Sequence, residues 1–377
     1  MRMLRFSAGA VAAASLLVSG WGSPATAAEP AETKLKTKNV ILVMSDGIRW
    51  QEIFRGAELG LISKEPGGVA DVEGTMRLYG QETAEERRKA LFPFLTEVVA
   101  KQGQLYGDEG EESLVTNGKN FSYPGYSEIA VGFGDPRIDS NNKFNNPNVT
   151  VFEWLNNQDA YRDQVACFGT WDVIPYILNR ERSGMKIVTC WERPQGENLT
   201  PQEILLGDII EETYQAWGDN SYDTFSFYTA LENLKREKPR VMYIGLGEPD
   251  VHTHAGRYDQ YLRSINIFDK HMKILWDTVQ STPEYKDQTT LILTTDHGRG
   301  DAPEEWKHHG ANIKGAERIW IGVLGPDTQP RGDSPLPKTT QSQIAATLAA
   351  FLGEDYNAFQ PKAGPVIKRA LPQAEGR

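Results

Sequence analysis

An α/β sandwich, with a mostly parallel central sheet held between helical layers, is the fold that this chain of 377 residues predicts. Three observations predict it. Short β-branched and apolar runs alternate with longer helical patterns, which is how crossover connections build a parallel sheet. Several runs are apolar at consecutive positions, as strands covered on both faces are. Carboxylates and histidines follow directly after these runs, at the carboxyl ends of strands, where such folds gather their ligand-binding loops.

Residues 1–28 read as an export signal: Arg2 and Arg5 precede an apolar run over 8–18, and Ala25-Thr26-Ala27-Ala28 offers small residues to a signal peptidase. The run is too short for a comfortable bilayer span, and no later stretch approaches that length. No cysteine stands near the cleavage site to take a lipid. The expectation is a soluble protein, periplasmic or extracellular, without stable membrane association. Residues 29–37 read as a linker and 38–377 as the folded domain. Losing Arg2 and Arg5 with the signal takes the formal charge from -11 to -13. So acidic a surface argues against a nucleic-acid polymer as partner, while leaving a small anionic substrate open.

Strands are expected over 39–44, 104–106, 165–169, 186–190, 241–246, 290–294 and 319–324. Helices are expected over 201–217, 224–237, 258–282 and 341–352. Two stretches fit this alternation poorly, 54–118 with its charge and glycines and 132–162 with its asparagines and prolines, and read as insertions over one edge of the sheet. Cys167 and Cys190 each sit in a strand-like run, and outside the cytoplasm either a disulfide or two buried thiols would suit them.

The chemistry concentrates at strand ends. The first run leads into Asp46-Gly47, 241–246 leads into Glu248-Pro249-Asp250 with His252 and His254 beyond, and 290–294 leads through Thr295 into Asp296-His297-Gly298. His308-His309-Gly310 precedes the run 319–324. Five of the six histidines fall in these segments, and only His271 lies elsewhere. Singly, each such residue is ordinary turn or cap chemistry. Together, imidazole and carboxylate suit two divalent cations, with Zn2+ the best match, Mn2+ or Fe next, and Ca2+ disfavoured because it prefers oxygen alone. Between the first ligand groups, Ser122-Tyr123-Pro124-Gly125 runs into a helical pattern. That places Ser122 at or just before a helix start, as either a cap or a nucleophile in an anion-binding position.

The order Asp46-Gly47, Ser122-Tyr123-Pro124, Glu248-Pro249-Asp250 with His254, Asp296-His297-Gly298 and His309-Gly310 resembles the alkaline phosphatase superfamily, closest to its type I phosphodiesterase and nucleotide pyrophosphatase branch. The resemblance runs from about residue 38 to 353. It implies that Asp46, Asp296 and His297 hold the cation that activates the nucleophile, and that Asp250, His254 and His309 hold the other. Ser122 falls on the family's nucleophile position, in contact with metal. His309 is preferred to His308 for the glycine that follows it, and His252 is left as a supporting residue. The implied activity is a secreted, two-metal phosphoric ester hydrolase acting on mono- or diesters through a phosphoseryl intermediate. A phosphotransferase or mutase is the alternative, with a sulfatase or a non-catalytic metal-binding protein further behind. Two departures bear on substrate: Gly125 stands where the branch carries a phosphate-contacting asparagine, and Tyr126 where sulfatases carry an arginine. Arg49 and Lys307 are candidate phosphate contacts.

Overall fold

Side chains alternate across β1, Asn39–Ser45. Val40, Leu42 and Met44 enter one buried cluster, and Ile41 and Val43 enter another on the opposite face. A strand buried on both sides must lie inside a three-layer fold. The computed structural model describes residues 34–332 and 334–372 and shows that arrangement. The remaining strands are β2 (Gln104–Tyr106), β3 (Ser113–Leu114), β4 (Val165–Gly169), β5 (Lys186–Thr189), β6 (Val241–Leu246), β7 (Thr289–Thr294), β8 (Arg318–Ile319), β9 (Ile321–Leu324) and β10 (Thr339–Thr340).

Seven of them form the central sheet in the order β2-β9-β7-β1-β6-β4-β5. The run from β7 to β5 is parallel throughout, while β9 and β2 close one edge antiparallel. Met44 lies opposite Gly245 on one side and Thr294 on the other. Hence β7, β1 and β6 end side by side, and the loops that leave them share one edge. Helices α1 (Ser122–Val131) and α6 (Ile344–Phe351) cover the face of Val40 and Leu42. The opposite face is covered by α3 (Asp223–Glu237) and α5 (Tyr258–Ser281), with α2 (Pro201–Glu212) outside them and the short α4 (Glu248–His254) leading into α5.

The structure departs from the sequence expectation in several places. The strand expected over 319–324 is two strands. β8 joins β3 and β10 in a second, three-stranded sheet, and β9 stays in the main one. Trp320 makes the switch: its indole N–H donates to the Ile48 carbonyl at 3.2 Å, and its carbonyl accepts from Thr294 Oγ1 at 2.8 Å. The helix expected to reach 217 stops at Glu212, because Trp217 turns back against the Tyr222 ring, 5.3 Å away between centroids. The stretch 54–118 supplies, besides the expected β2, the unexpected β3 and several helices. Cys167 and Cys190 are free thiols, since the register sets Cys167 opposite Ile187, short of Cys190. The export signal and residues 29–33 of the linker lie outside the described residues. Among the described residues, no helix is long and apolar enough to cross a membrane.

Candidate metal centre

Three neighbouring strand ends aim three carboxylates at one place. Asp46 follows β1, Asp296 follows β7 after Thr295, and Asp250 rides on α4 behind β6. Each is oriented by a donor of the protein. The Gly47 amide donates to Asp296 Oδ1 at 3.0 Å, and the Tyr126 hydroxyl donates to Asp46 Oδ2 at 3.0 Å. The third donor is the Arg299 guanidinium, whose Nη2 takes Asp250 Oδ1. The other oxygens of Asp46 and Asp296 are left facing His297 Nε2, at 3.2 and 3.3 Å. His297 Nδ1 is engaged by the Gly298 carbonyl at 2.9 Å, which assigns the proton to Nδ1 and the lone pair to Nε2.

Asp46 Oδ1, Asp296 Oδ2 and His297 Nε2 are therefore three buried ligand atoms without a hydrogen-bond partner, all within 4.8 Å of one another. Buried polar atoms are normally paired, and two carboxylate oxygens around one imidazole lone pair form a donor set for a divalent cation. The second group adjoins the first. His254 Nε2 lies 3.4 Å from Asp250 Oδ2 and 2.9 Å from His309 Nε2, and His309 Nε2 is 3.9 Å from Asp250 Oδ1. The His309 ring stacks on His297 with centroids 4.0 Å apart, so His297 borders both groups. The structure thus brings together six of the seven residues named as metal ligands from sequence, the seventh being Ser122. It leaves out His252, which sits edge-on to Trp217 and 3.7 Å from Glu248, and His308, whose carbonyl accepts from the Gly300 amide.

Electrostatics follow burial. Burial, then the Asp250 charge, pushes Asp46 well above the usual carboxylate range, and burial with Asp46 does the same to Asp296. Burial would raise Asp250 too, but Arg299 and the surrounding imidazoles outweigh it and hold it at about 2. Burial, then His297 and Arg299, depresses His309 to about 2, and burial lowers His254. All of these histidine shifts favour the neutral form that ligates metal.

Ser122 is the first residue of α1, with Phe121 as N-cap. The cap position thus belongs to Phe121, and Ser122 is a buried residue of the first turn. Helix α1 reaches the centre by close approach: a Cβ on Gly125 would lie 2.4 Å from the Asp296 carbonyl oxygen, and Tyr126 one residue on grips Asp46. Gln341 supports the same loop, donating to the Thr295 and Asp296 carbonyls at 3.1 and 2.7 Å. Arg49 is removed as a phosphate contact, because it is buried and paired with Glu52 at 3.1 Å and Glu58 at 2.9 Å. Sequence reasoning missed Tyr126 and Arg299 as parts of the centre. The only signal for Arg299 was its place directly after Asp296-His297-Gly298.

Residues 215–356 match the Metalloenzyme superfamily, a span that holds Asp250, His254, Asp296, His297 and His309 but not Asp46 or Ser122. A stretch of 129 residues, 34% of this chain, is 23% identical to 2,3-bisphosphoglycerate-independent phosphoglycerate mutase of Haloarcula marismortui. The match spans about a quarter of that relative, 23% of its length. Among solved structures, a protein in the alkaline phosphatase superfamily from Vibrio parahaemolyticus is similar at TM-score 0.52 and 15% identity, over 91% of this chain and 72% of the other. The C-terminal periplasmic domain of EcEptC from Escherichia coli, in complex with Zn, is similar at TM-score 0.51 and 10% identity over 93% of each chain. These likenesses bear out the alkaline phosphatase-like fold and the resemblance to that superfamily, and they single out no branch of it.

Proposed function

On an alkaline phosphatase-like fold carrying a Metalloenzyme superfamily segment, we propose that this chain is a two-metal phosphoric ester hydrolase that works through a phosphoseryl intermediate on Ser122. The observation that supports the reading most is the set of orphaned ligand atoms on Asp46, Asp296 and His297, next to a helix whose first residue is Ser122. Asp46, Asp296 and His297 would hold one divalent cation, and Asp250, His254 and His309 the other. Mixed nitrogen and oxygen ligation favours Zn2+, with Mn2+ or Fe as substitutes. Bound there, the cations would supply Lewis-acid polarisation of the phosphoryl group and lower the pKa of the hydroxyl and of water.

The chain's own groups account for the remaining steps. Ser122 Oγ attacks phosphorus in line and gives up its proton, forming the O–P bond as the ester oxygen leaves and takes up a proton as the alcohol. Water then displaces the serine, which regains its proton, and releases phosphate from a monoester or a phosphate monoester from a diester. The first ligand group is sealed, whereas His254 is 49% exposed, so substrate and water enter from the side of the second group. Taken with the acidic surface and the N-terminal signal pattern, the reading is of an exported enzyme for small phosphate esters. Likeness to a mutase keeps transfer to an acceptor other than water as the second reading. Sulfate esters are disfavoured because Tyr126, spent on Asp46, stands where sulfatases carry an arginine.

Ser122→Ala should retain both metal equivalents by elemental analysis while losing turnover of aryl phosphate mono- and diesters by roughly a thousandfold or more. Undiminished turnover in that variant rejects Ser122 as nucleophile. Product analysis with an added alcohol acceptor separates hydrolysis from transfer, and a parallel aryl sulfate assay addresses the sulfatase reading.

A further inference from the structure

Each carboxylate of the centre has one oxygen held by the protein, but the three holders differ in charge. The Gly47 amide and the Tyr126 hydroxyl are neutral, and the Arg299 guanidinium carries a full positive charge. Arg299 is built in. Its side chain is 0% exposed, its Nε donates to the Gly47 carbonyl at 3.2 Å, and its Nη1 donates to the Lys307 carbonyl at 3.1 Å. Its seat needs a glycine, since a Cβ on Gly47 would lie 2.6 Å from Nη2. Gly47 therefore serves the centre twice, with its amide on Asp296 and its bare Cα against Arg299.

The two ligand groups consequently offer a cation different fields. Asp46, Asp296 and His297 present two buried carboxylates, neither of them hydrogen-bonded to an arginine, and Arg299 reaches Asp46 only through its charge. Asp250, His254 and His309 present one carboxylate already matched by Arg299, and two neutral imidazoles, one of them open to solvent. A fixed charge in contact with a ligand oxygen opposes any further cation there, and least screening applies where the pair is buried.

We infer that Arg299 makes the two sites unequal: the first binds its cation tightly, and the second binds weakly and exchanges it, so that its occupancy follows the free divalent-ion concentration. This rests on the two-cation reading above. Titration calorimetry of the chelator-stripped full chain with Zn2+, carried to millimolar free ion, should resolve two steps separated by at least about tenfold in affinity. Arg299→Met should tighten the weaker step and narrow the gap, Arg299→Lys should preserve the gap, and His254→Ala should delete only the weaker step. Two steps of equal affinity in the unaltered chain overturn the inference, as does an unchanged gap in a folded Arg299→Met. If Arg299→Met does not fold, the unaltered chain and His254→Ala still decide. Saturation by a single cation gives a different result, because it overturns the two-cation reading itself.

Discussion

Gly125 shows how the surroundings of one residue add a reason that sequence alone does not carry. It stands where the resembled branch carries asparagine, which from sequence alone signifies a lost phosphate contact. In the fold, a side chain there would begin 2.4 Å from the Asp296 carbonyl oxygen and 3.1 Å from its Cβ, so glycine is what lets α1 lie against the ligand loop. Gly125→Asn should therefore lower stability by about 1–3 kcal/mol through overpacking. Urea unfolding of the metal-free variant checks this, and an unchanged midpoint would mean that α1 can retreat without cost. The candidate ligand residues were legible because a carboxylate or imidazole directly after an apolar run stands out in any sequence. Arg299 and Tyr126 were not, because their partners Asp250 and Asp46 lie 49 and 80 residues away and only the packed fold brings them into contact.

Helix α4 carries Asp250 and His254 on one face, four residues apart, yet its own N-cap residue, Gly247, supplies no side-chain acceptor. The start of another helix does so. Asp223 Oδ1 accepts from the Gly247 and Glu248 amides at 2.7 and 3.1 Å, and Glu248 Oε2 accepts in return from the Asp223 amide at 2.8 Å. Two helix starts thus satisfy each other's free amide groups. Burial, then Glu248, pushes the Asp223 carboxyl well above its usual range, so the clamp holds through its hydrogen bonds against a desolvation cost. Asp223→Ala should destabilise the chain by about 1–3 kcal/mol and weaken cation binding at Asp250 and His254, with Asp223→Asn milder because it keeps an acceptor oxygen. Denaturant unfolding and metal titration of both variants measure this, and equal losses for Ala and Asn would remove the acceptor from the explanation. The sequence pattern picked out the Glu248-Pro249-Asp250 motif without expecting a helix there and assigned Glu248 no task, since a clamp between helices leaves no local trace. The break at Trp320 was hidden for the same reason, as its cause is the pairing of β8 with the distant β3.

Across the molecule, the parallel strands were legible because two-sided burial writes continuous apolar runs, whereas the second sheet is built of two-residue strands too short to leave a pattern. The helical layer opposite α1 contains the one histidine that lies outside the motif segments. His271 of α5 is buried against α3, stacked on Phe227 with centroids 4.1 Å apart and edge-on to Tyr228 at 6.0 Å, and its Nδ1 has no hydrogen-bond partner. Burial lowers its pKa from the ordinary 6.5 to about 4, so the folded state keeps the ring neutral while the unfolded chain takes up the proton. The unfolded state therefore binds more protons between those two values. Stability from this group is complete above pH 6.5, falls as pH drops toward 4, and changes no further below. At about 1.4 kcal/mol per pH unit, the loss between neutrality and pH 5 is about 2 kcal/mol. Replacing the ring by one that cannot titrate, His271→Phe, should remove that share of the acid sensitivity while preserving the stack on Phe227. Urea unfolding of the metal-free chain and the variant at both pH values isolates the effect, because the carboxylates common to both proteins cancel in the comparison. Equal acid losses in the two proteins would mean that His271 is protonated within the fold, with its charge accommodated between the two helices.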